Sequence, residues 1–342
     1  MTRFKLSLAI LACSLATSSI ATGAEVRYRL TQIVPDTSAS TVLAADLNDR
    51  GQVVGFVQDS SAVDHAFAWR NGTLTNLAPL LGPSATRSRA SGNNDRGDLV
   101  GFFFDAQGGA FVNFLLRQGQ VTRIDGLPGA GDASVVDINN RRQIIGNSFS
   151  EDFSSLAFVW EDGNVMQLPP LSGDTNATVV ALNERGVALG TSDGATRHIV
   201  IWEDGAAVDL EIPGAAGVAV PRDINDREQV TGTLQRRGFL WERGNLVQLP
   251  TVEGAVITQA VSINNAGEIV GTSGLESGSR ATLWEDEQVF DLNDLIRSND
   301  PLRPFVTLEN TASINDRGAI VATGRDSRFP TELRTYLLTP VH

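Results

Sequence analysis

Three aspartates, Asp46, Asp137 and Asp223, stand at one recurring place in this chain of 342 residues, each two positions before an asparagine. Carboxylates gathered about a common axis can hold a hard cation such as Ca²⁺, which wants several oxygen ligands. Kept apart, each would cap nearby main-chain amides instead. Five arginines, Arg87, Arg89, Arg236, Arg237 and Arg328, fall in irregular segments. Their guanidinium groups could read a carboxylate or an acidic glycan, or stay as solvated surface charge. Two of the three histidines, His65 and His198, share one repeat position at the start of a strand, and His342 ends the chain. A position shared by separate repeats reads as strand-edge chemistry, not as a catalytic cluster. Gly190-Thr191-Ser192-Asp193-Gly194 matches the nucleophile-elbow pattern. That pattern needs a strand-turn-helix setting, whereas here it follows a strand and opens a hairpin loop. No catalytic residue and no cofactor is assigned; the one cofactor candidate is a cation held by the three aspartates.

The elements that must position these residues begin after a leader. Met1-Thr2-Arg3-Phe4-Lys5, an apolar run from Leu6 to Leu15 and small residues ending at Ala24 form a secretory signal peptide over residues 1–24. The expected location is therefore extracellular or periplasmic. The apolar run is too short to span a bilayer, so no membrane insertion is expected. Cys13 is the only cysteine and lies in the leader, so the mature chain has no disulfide, thiol nucleophile or Cys-metal site. The formal charge of −13 becomes more negative by two when Arg3 and Lys5 leave. An acidic surface argues against nucleic acid and anionic lipid as partners.

Residues 25–342 are organised by a repeat. Asn48, Asn94, Asn139, Asn183, Asn225, Asn264 and Asn315 align in motifs such as Leu182-Asn183-Glu184-Arg185-Gly186-Val187-Ala188-Leu189-Gly190, at spacings of 46, 45, 44, 42, 39 and 51 residues. That is the period of four-stranded propeller blades. The asparagine side chain can bond an amide two residues on, and the glycine supplies a positive φ to close the hairpin. Trp69, Trp160, Trp202, Trp241 and Trp284 all end a third strand, which reads as packing within and between blades. The last repeat lacks a fourth strand, while an orphan strand, Arg27–Val34, precedes the first. The orphan is expected to pair with residues 335–338 and close the ring. The fold class is thus all-β: one domain, a seven-bladed propeller of four-stranded blades, expected as a monomer. The long last spacing contains an insertion, Asn293 to Pro304, expected as one helical turn and a loop.

Strand alternation aims the row of Asp46, Gly92, Asp137, Ala181, Asp223, Ser262 and Ser313 at the central channel, and the next residue of each first strand between blades. Loops between second and third strands, with the blade-to-blade connections, vary most and share one face. Variable loops on a rigid scaffold are where binding usually sits.

The run His65-Ala66-Phe67-Ala68-Trp69-Arg70-Asn71-Gly72-Thr73-Leu74-Thr75-Asn76-Leu77 resembles the signature of the HAF family of bacterial extracellular repeat proteins. The Asn-x-x-Gly-x-[Val/Ile]-[Val/Ile]-Gly stretches, Asp291-Leu292-Asn293-Asp294-Leu295-Ile296 and Tyr336-Leu337-Leu338-Thr339-Pro340-Val341 fit the same pattern. The resemblance covers nearly all of the mature chain. It implies secretion, and it carries no catalytic residue over. The expected function is a binding or scaffold module that takes a protein or glycan through the variable loop face. The alternative is a polysaccharide lyase or hydrolase acting at the channel mouth.

Overall fold

The computed structural model describes residues 27–34, 41–152, 154–215 and 217–341. The expected signal peptide, residues 1–24, and His342 lie outside the described residues. Seven four-stranded antiparallel sheets follow one another. Blade one is Thr41–Leu47, Val53–Gln58, Asp64–Arg70 and Thr73–Asn76. Blades two to six span 85–124, 132–168, 176–209, 219–248 and 255–291. Blade seven takes Val306–Ile314, Ile320–Asp326 and Phe329–Pro340, and its fourth strand is the N-terminal Tyr28–Ile33. The register runs from Tyr28 opposite Pro340 to Ile33 opposite Thr335. The ring is therefore closed by the orphan strand, which leaves blade seven no missing strand to invite a foreign one.

One irregularity repeats in all seven first strands and was not visible in the sequence. Register slips by one residue three positions before each anchor, between Ala44 and Asp46 in blade one and between Val179 and Ala181 in blade four. Such a bulge bends the strand and brings its carbonyl onto the second strand. The same place holds the glycine that ends six of the seven motifs, blade seven having Ala322 there. A Cβ on Gly55, Gly101, Gly146, Gly190, Gly232 or Gly271 would stand 1.9–2.5 Å from a carbonyl oxygen of the first strand. Only hydrogen fits there.

Seven apolar clusters lie mainly between consecutive blades. Val54 and Ala66 of blade one pack with Phe103 and Phe114 of blade two, for example. Four of the five tryptophans are buried, from 1 % exposed at Trp202 to 7 % at Trp160. The indole N–H groups of Trp202 and Trp284 donate to Pro169 O and Pro250 O, each at 2.7 Å, and so tie a third strand to the preceding blade connection.

The insertion departs from expectation. Residues 293–304 form turns, not a helix, and Ile296 makes a parallel bridge to Tyr28. Arg27 N and Tyr28 N donate to Leu295 O at 2.9 and 3.0 Å, Arg297 N donates to Tyr28 O at 2.9 Å, and Leu30 N donates to buried Asp300 Oδ2 at 2.8 Å. Leu292, Leu295 and Ile296 are at most 1 % exposed against the core of blade seven. The apolar residues that looked like a short helical stripe are instead a latch over the outer edge of the closing strand, an edge that would otherwise display unpaired amides. One four-residue helix, Ala78–Leu81, is present among the described residues.

Candidate functional site: the axial channel and the loop face

Each anchor asparagine stands at the inner end of its blade, in the turn after the first strand. Its Oδ1 accepts two main-chain N–H groups of its own turn, as Asn48 does from Arg50 and Gln52 at 3.0 Å each. The bond to the amide two residues on is the one expected from sequence. The amide nitrogen does more. Asn48 Nδ2 donates to Asn94 O, and the pattern passes from blade to blade until Asn315 Nδ2 donates to Asn48 O, at 2.7–3.1 Å throughout.

A second closed ring sits one residue further along. The N–H of Asp49 donates to an Asp95 side-chain oxygen, Asp95 N–H to Asn140, Asn140 to Glu184, Glu184 to Asp226, Asp226 to Asn265, Asn265 to Asp316, and Asp316 back to Asp49, all at 2.7–2.9 Å. Five members are acids and two are amides. The Asn265 amide nitrogen also bridges the carboxylates of Asp226 and Asp316 at 3.1 and 2.7 Å, which relieves repulsion between them. The signal for this ring was present in the sequence: every residue after an anchor carries a side-chain oxygen acceptor.

Beneath these rings lie Asp46, Asp137 and Asp223, lining one cavity of about 170 Å³ that contains eight acidic residues and no cationic side chain. Asp46 accepts Leu47 N–H at 2.7 Å and reaches the next blade at Asn93 N–H, 3.0 Å. Asp223 accepts Ile224 N–H, and from the next blade Ser262 Oγ and Ile263 N–H, each at 2.8 Å. Asp137 accepts Ile138 N–H at 2.7 Å, its one hydrogen bond. Burial pushes all three carboxyl groups up. Asp223 reaches about 6. Asp137 is raised well above the ordinary range by burial and by the facing charges of Asp46, Asp223 and Glu184. The side chains keep partial access to water in the bore, and that water tempers these shifts. Among the described residues no three His, Cys, Asp or Glu side chains come close enough to hold a metal ion together. The three aspartates share an electrostatic field; Asp46 and Asp223 spend both oxygens on local and neighbouring-blade donors, and Asp137 one of its two on Ile138.

The five arginines do not converge; they belong to blades two, five and seven. Arg89 clasps Asp64 through Nε and Nη2 at 2.9 and 2.7 Å and lies 4.2 Å over the Phe56 ring. Arg328 holds Asp326 in the same way, at 2.9 and 2.6 Å, and lies 4.4 Å over Phe305. Arg236 is the second residue of a two-residue hairpin turn, with φ 69° after Gln235 at 49°, so that connection is tight and regular, not a long variable loop. Arg237 begins the strand that follows. Arg87 is exposed and its side chain makes no bond among the described residues. Beside it Phe111, 53 % exposed, meets Phe104 and Phe102 edge-on at 5.2 and 5.6 Å between ring centres. Phe104 and Phe111, with Val63, Thr86 and Arg87, line a groove of about 360 Å³ on the loop face.

The remaining candidates are local. His65 Nε2 meets Asp59 at 3.0 Å, and His198 Nδ1 meets Asp209 at 2.8 Å. Ser192 of the Gly-x-Ser-x-Gly run is fully buried; its Oγ donates to Asp174 at 2.6 Å and accepts Leu171 N–H at 2.9 Å.

In sequence, no protein family matches the chain, and no characterised protein does. Solved structures match it in fold. The propeller domain of the Trilobed protease from Pyrococcus furiosus, which has an open velcro topology, is 11 % identical with a TM-score of 0.56, over 87 % of this chain and 96 % of that one. YCF48 bound to D1 peptide is 11 % identical with a TM-score of 0.55, over 95 % of this chain and 100 % of that one. A puromycin-hydrolyzing peptidase from Mycobacterium tuberculosis is 12 % identical with a TM-score of 0.50 over 88 % of this chain, which spans about half (49 %) of the peptidase. At such identities the likeness is one of fold. The chain is a seven-bladed β-propeller. No helix among the described residues is long and apolar enough to cross a membrane.

Proposed function

We propose that this chain is a secreted binding or scaffold module of the HAF type, which takes a partner protein on its loop face and performs no catalysis. The observation that carries the reading is the groove lined by half-buried Phe104, exposed Phe111 and Arg87, whose side chain has no partner among the described residues. Exposed aromatic rings next to a guanidinium are what interface cores are made of. On an acidic protein, that arginine selects a partner segment pairing a carboxylate with an apolar side chain. YCF48, of similar fold, is bound to a peptide, which supports a protein ligand over a sugar for this face. The leader-like residues 1–24 and the repeat signature support secretion.

The second reading, catalysis on a polysaccharide at the channel mouth, draws on the Asp223 carboxyl at about 6, a value suited to proton transfer near neutral pH. Against it, both oxygens of Asp46 and of Asp223 already accept hydrogen bonds within and between blades. The test is a fluorescence-anisotropy screen of acidic-apolar peptides against the protein and its Phe111→Ala and Arg87→Glu variants. The proposal expects micromolar binding that falls at least tenfold in each variant. Equal binding by all three proteins, or turnover of a polysaccharide that Asp223→Asn abolishes, overturns it.

A further inference from the structure

The seam between blades seven and one combines an open turn glycine with a small residue in the slot that faces it. At three other seams the fourth residue after an anchor reaches over the turn glycine of the following blade. Gln143 Oε1 lies 2.7 Å from where a Cβ on Gly186 would stand, Gln229 3.6 Å from that on Gly267, and Glu268 3.5 Å from that on Gly318. Blade seven has Ala319 in this slot, and nothing lies within 4 Å of the corresponding point on Gly51; Gly97 is equally open, but there the slot holds Gln52, turned away. Gly51 and Ala319 line a cleft of about 690 Å³, within the range of small-molecule sites.

Three arginines from three different elements line that cleft: Arg29 of the closing strand, Arg50 of the blade-one turn and Arg317 of the blade-seven turn. All three are exposed, and none of their side chains makes a hydrogen bond or ion pair among the described residues. The one acidic residue in the lining is Asp49, whose Oδ1 takes the Asp316 N–H of the second ring. In a chain of net charge −13, three guanidinium groups at one opening outnumber the single carboxylate, Asp49, whose charge Arg317 feels; the excess of positive charge favours an anion, and guanidinium forks match carboxylates. The rest of the lining is neutral: Thr31, Asn71 and Thr339 offer hydroxyl and amide groups, over an apolar floor that includes Leu337 and Pro340. That mixture suits a ring with one C–H face and several hydroxyls. A peptide would more readily add to a strand edge, but the outer edge of Tyr28–Ile33 is already held by residues 295–300.

We propose that the blade seven–blade one cleft binds an acidic oligosaccharide, its uronate carboxylates paired with Arg29, Arg50 and Arg317. The site is independent of the aromatic groove on the loop face. The probes are trisaccharides of galacturonate, mannuronate and guluronate, with maltotriose as the neutral control and a hexaglutamate peptide as the non-sugar anion, titrated by calorimetry at low and moderate salt. The expected result is binding of at least one uronate trisaccharide, weakened by salt, with none of maltotriose and markedly weaker binding of hexaglutamate. Arg50→Ala with Arg317→Ala reduces affinity by roughly ten- to a hundredfold, the weight of charge-assisted hydrogen bonds. Ala319→Gln, which refills the slot as in blade three, blocks binding with every arginine in place. Phe111→Ala leaves it unchanged, so failure here and failure of the loop-face proposal are separately visible. Absence of binding to all three uronates, equal binding of hexaglutamate, or full affinity in the double arginine variant overturns the proposal. The last of these stands even if Ala319→Gln misfolds.

Discussion

Replacing Asp223 by asparagine should cost stability at low pH and cost none, or add some, above neutrality. The Asp223 carboxyl stands at about 6 in the folded chain against an ordinary 3.8, because it is buried close to other acids. A carboxyl whose pKa is raised by folding holds its proton more tightly in the native state. Its contribution to stability is therefore complete below pH 3.8 and is lost as pH rises through about 6. Two pKa units correspond to about 3 kcal/mol, and water in the channel lowers that to about 2–3 kcal/mol. Asparagine keeps one oxygen for the Ile224 N–H but turns a donor toward the Ile263 N–H and Ser262 Oγ. This costs about 1–2 kcal/mol at every pH. At pH 3.5 Asp223→Asn should thus be less stable than wild type by about 1–2 kcal/mol, and at pH 7.5 equal to it or more stable by up to about 2 kcal/mol. Urea unfolding at the two pH values, followed by tryptophan fluorescence, measures the difference. A deficit of the same size at both would show that the carboxyl titrates normally, and the account of a mutually repelling acid field would be wrong.

Other consequences follow from the rings and the seam. Asn183→Ala removes two accepted main-chain bonds and the donation to Asn225 O; it should cost about 3 kcal/mol in urea unfolding, and a loss below about 1 kcal/mol would deny the ring its structural role. Gly190→Ala puts a Cβ 1.9 Å from Thr178 O and should lower the unfolding free energy by about 3 kcal/mol or leave the protein insoluble. Its control is the natural alanine of the same slot in blade seven: Ala322→Gly should stay within about 1 kcal/mol. Asp300→Ala takes the carboxylate from the buried Leu30 N–H; about 1–3 kcal/mol should be lost, with faster amide hydrogen exchange over residues 28–33. Unchanged exchange there would mean that the insertion does not latch the closing strand.

The fold was legible because a propeller writes its plan seven times. The spacing of Asn48 and its six equivalents, and the missing strand matched by Arg27–Val34, were enough to close the ring. The site was legible only in outline. The channel aspartates were placed correctly because alternation over two adjacent residues survives a bulge lying just before them. The bulge itself, and hence the need for Gly55 and its equivalents, depends on pairing to another strand and leaves no trace in one strand's residues. The second ring was hidden by chemistry: Asp, Glu and Asn alternate in it, and only their shared acceptor oxygen matters. The latch misled because Leu292, Leu295 and Ile296 have helical spacing, while their burial is decided by the closing strand some 265 residues earlier in sequence. Arg89 and Arg328 looked free because their partners Asp64 and Asp326 are identified only by folding.

Whether ligand recognition lies on the loop face or in the channel is decided by one side-by-side titration. Phe111→Ala and Asp223→Asn are compared with wild type against the tightest-binding acidic-apolar peptide. The account predicts at least a tenfold loss in the first and wild-type affinity in the second. Full affinity in Phe111→Ala together with loss in Asp223→Asn would put the binding site in the acid-lined bore and contradict it.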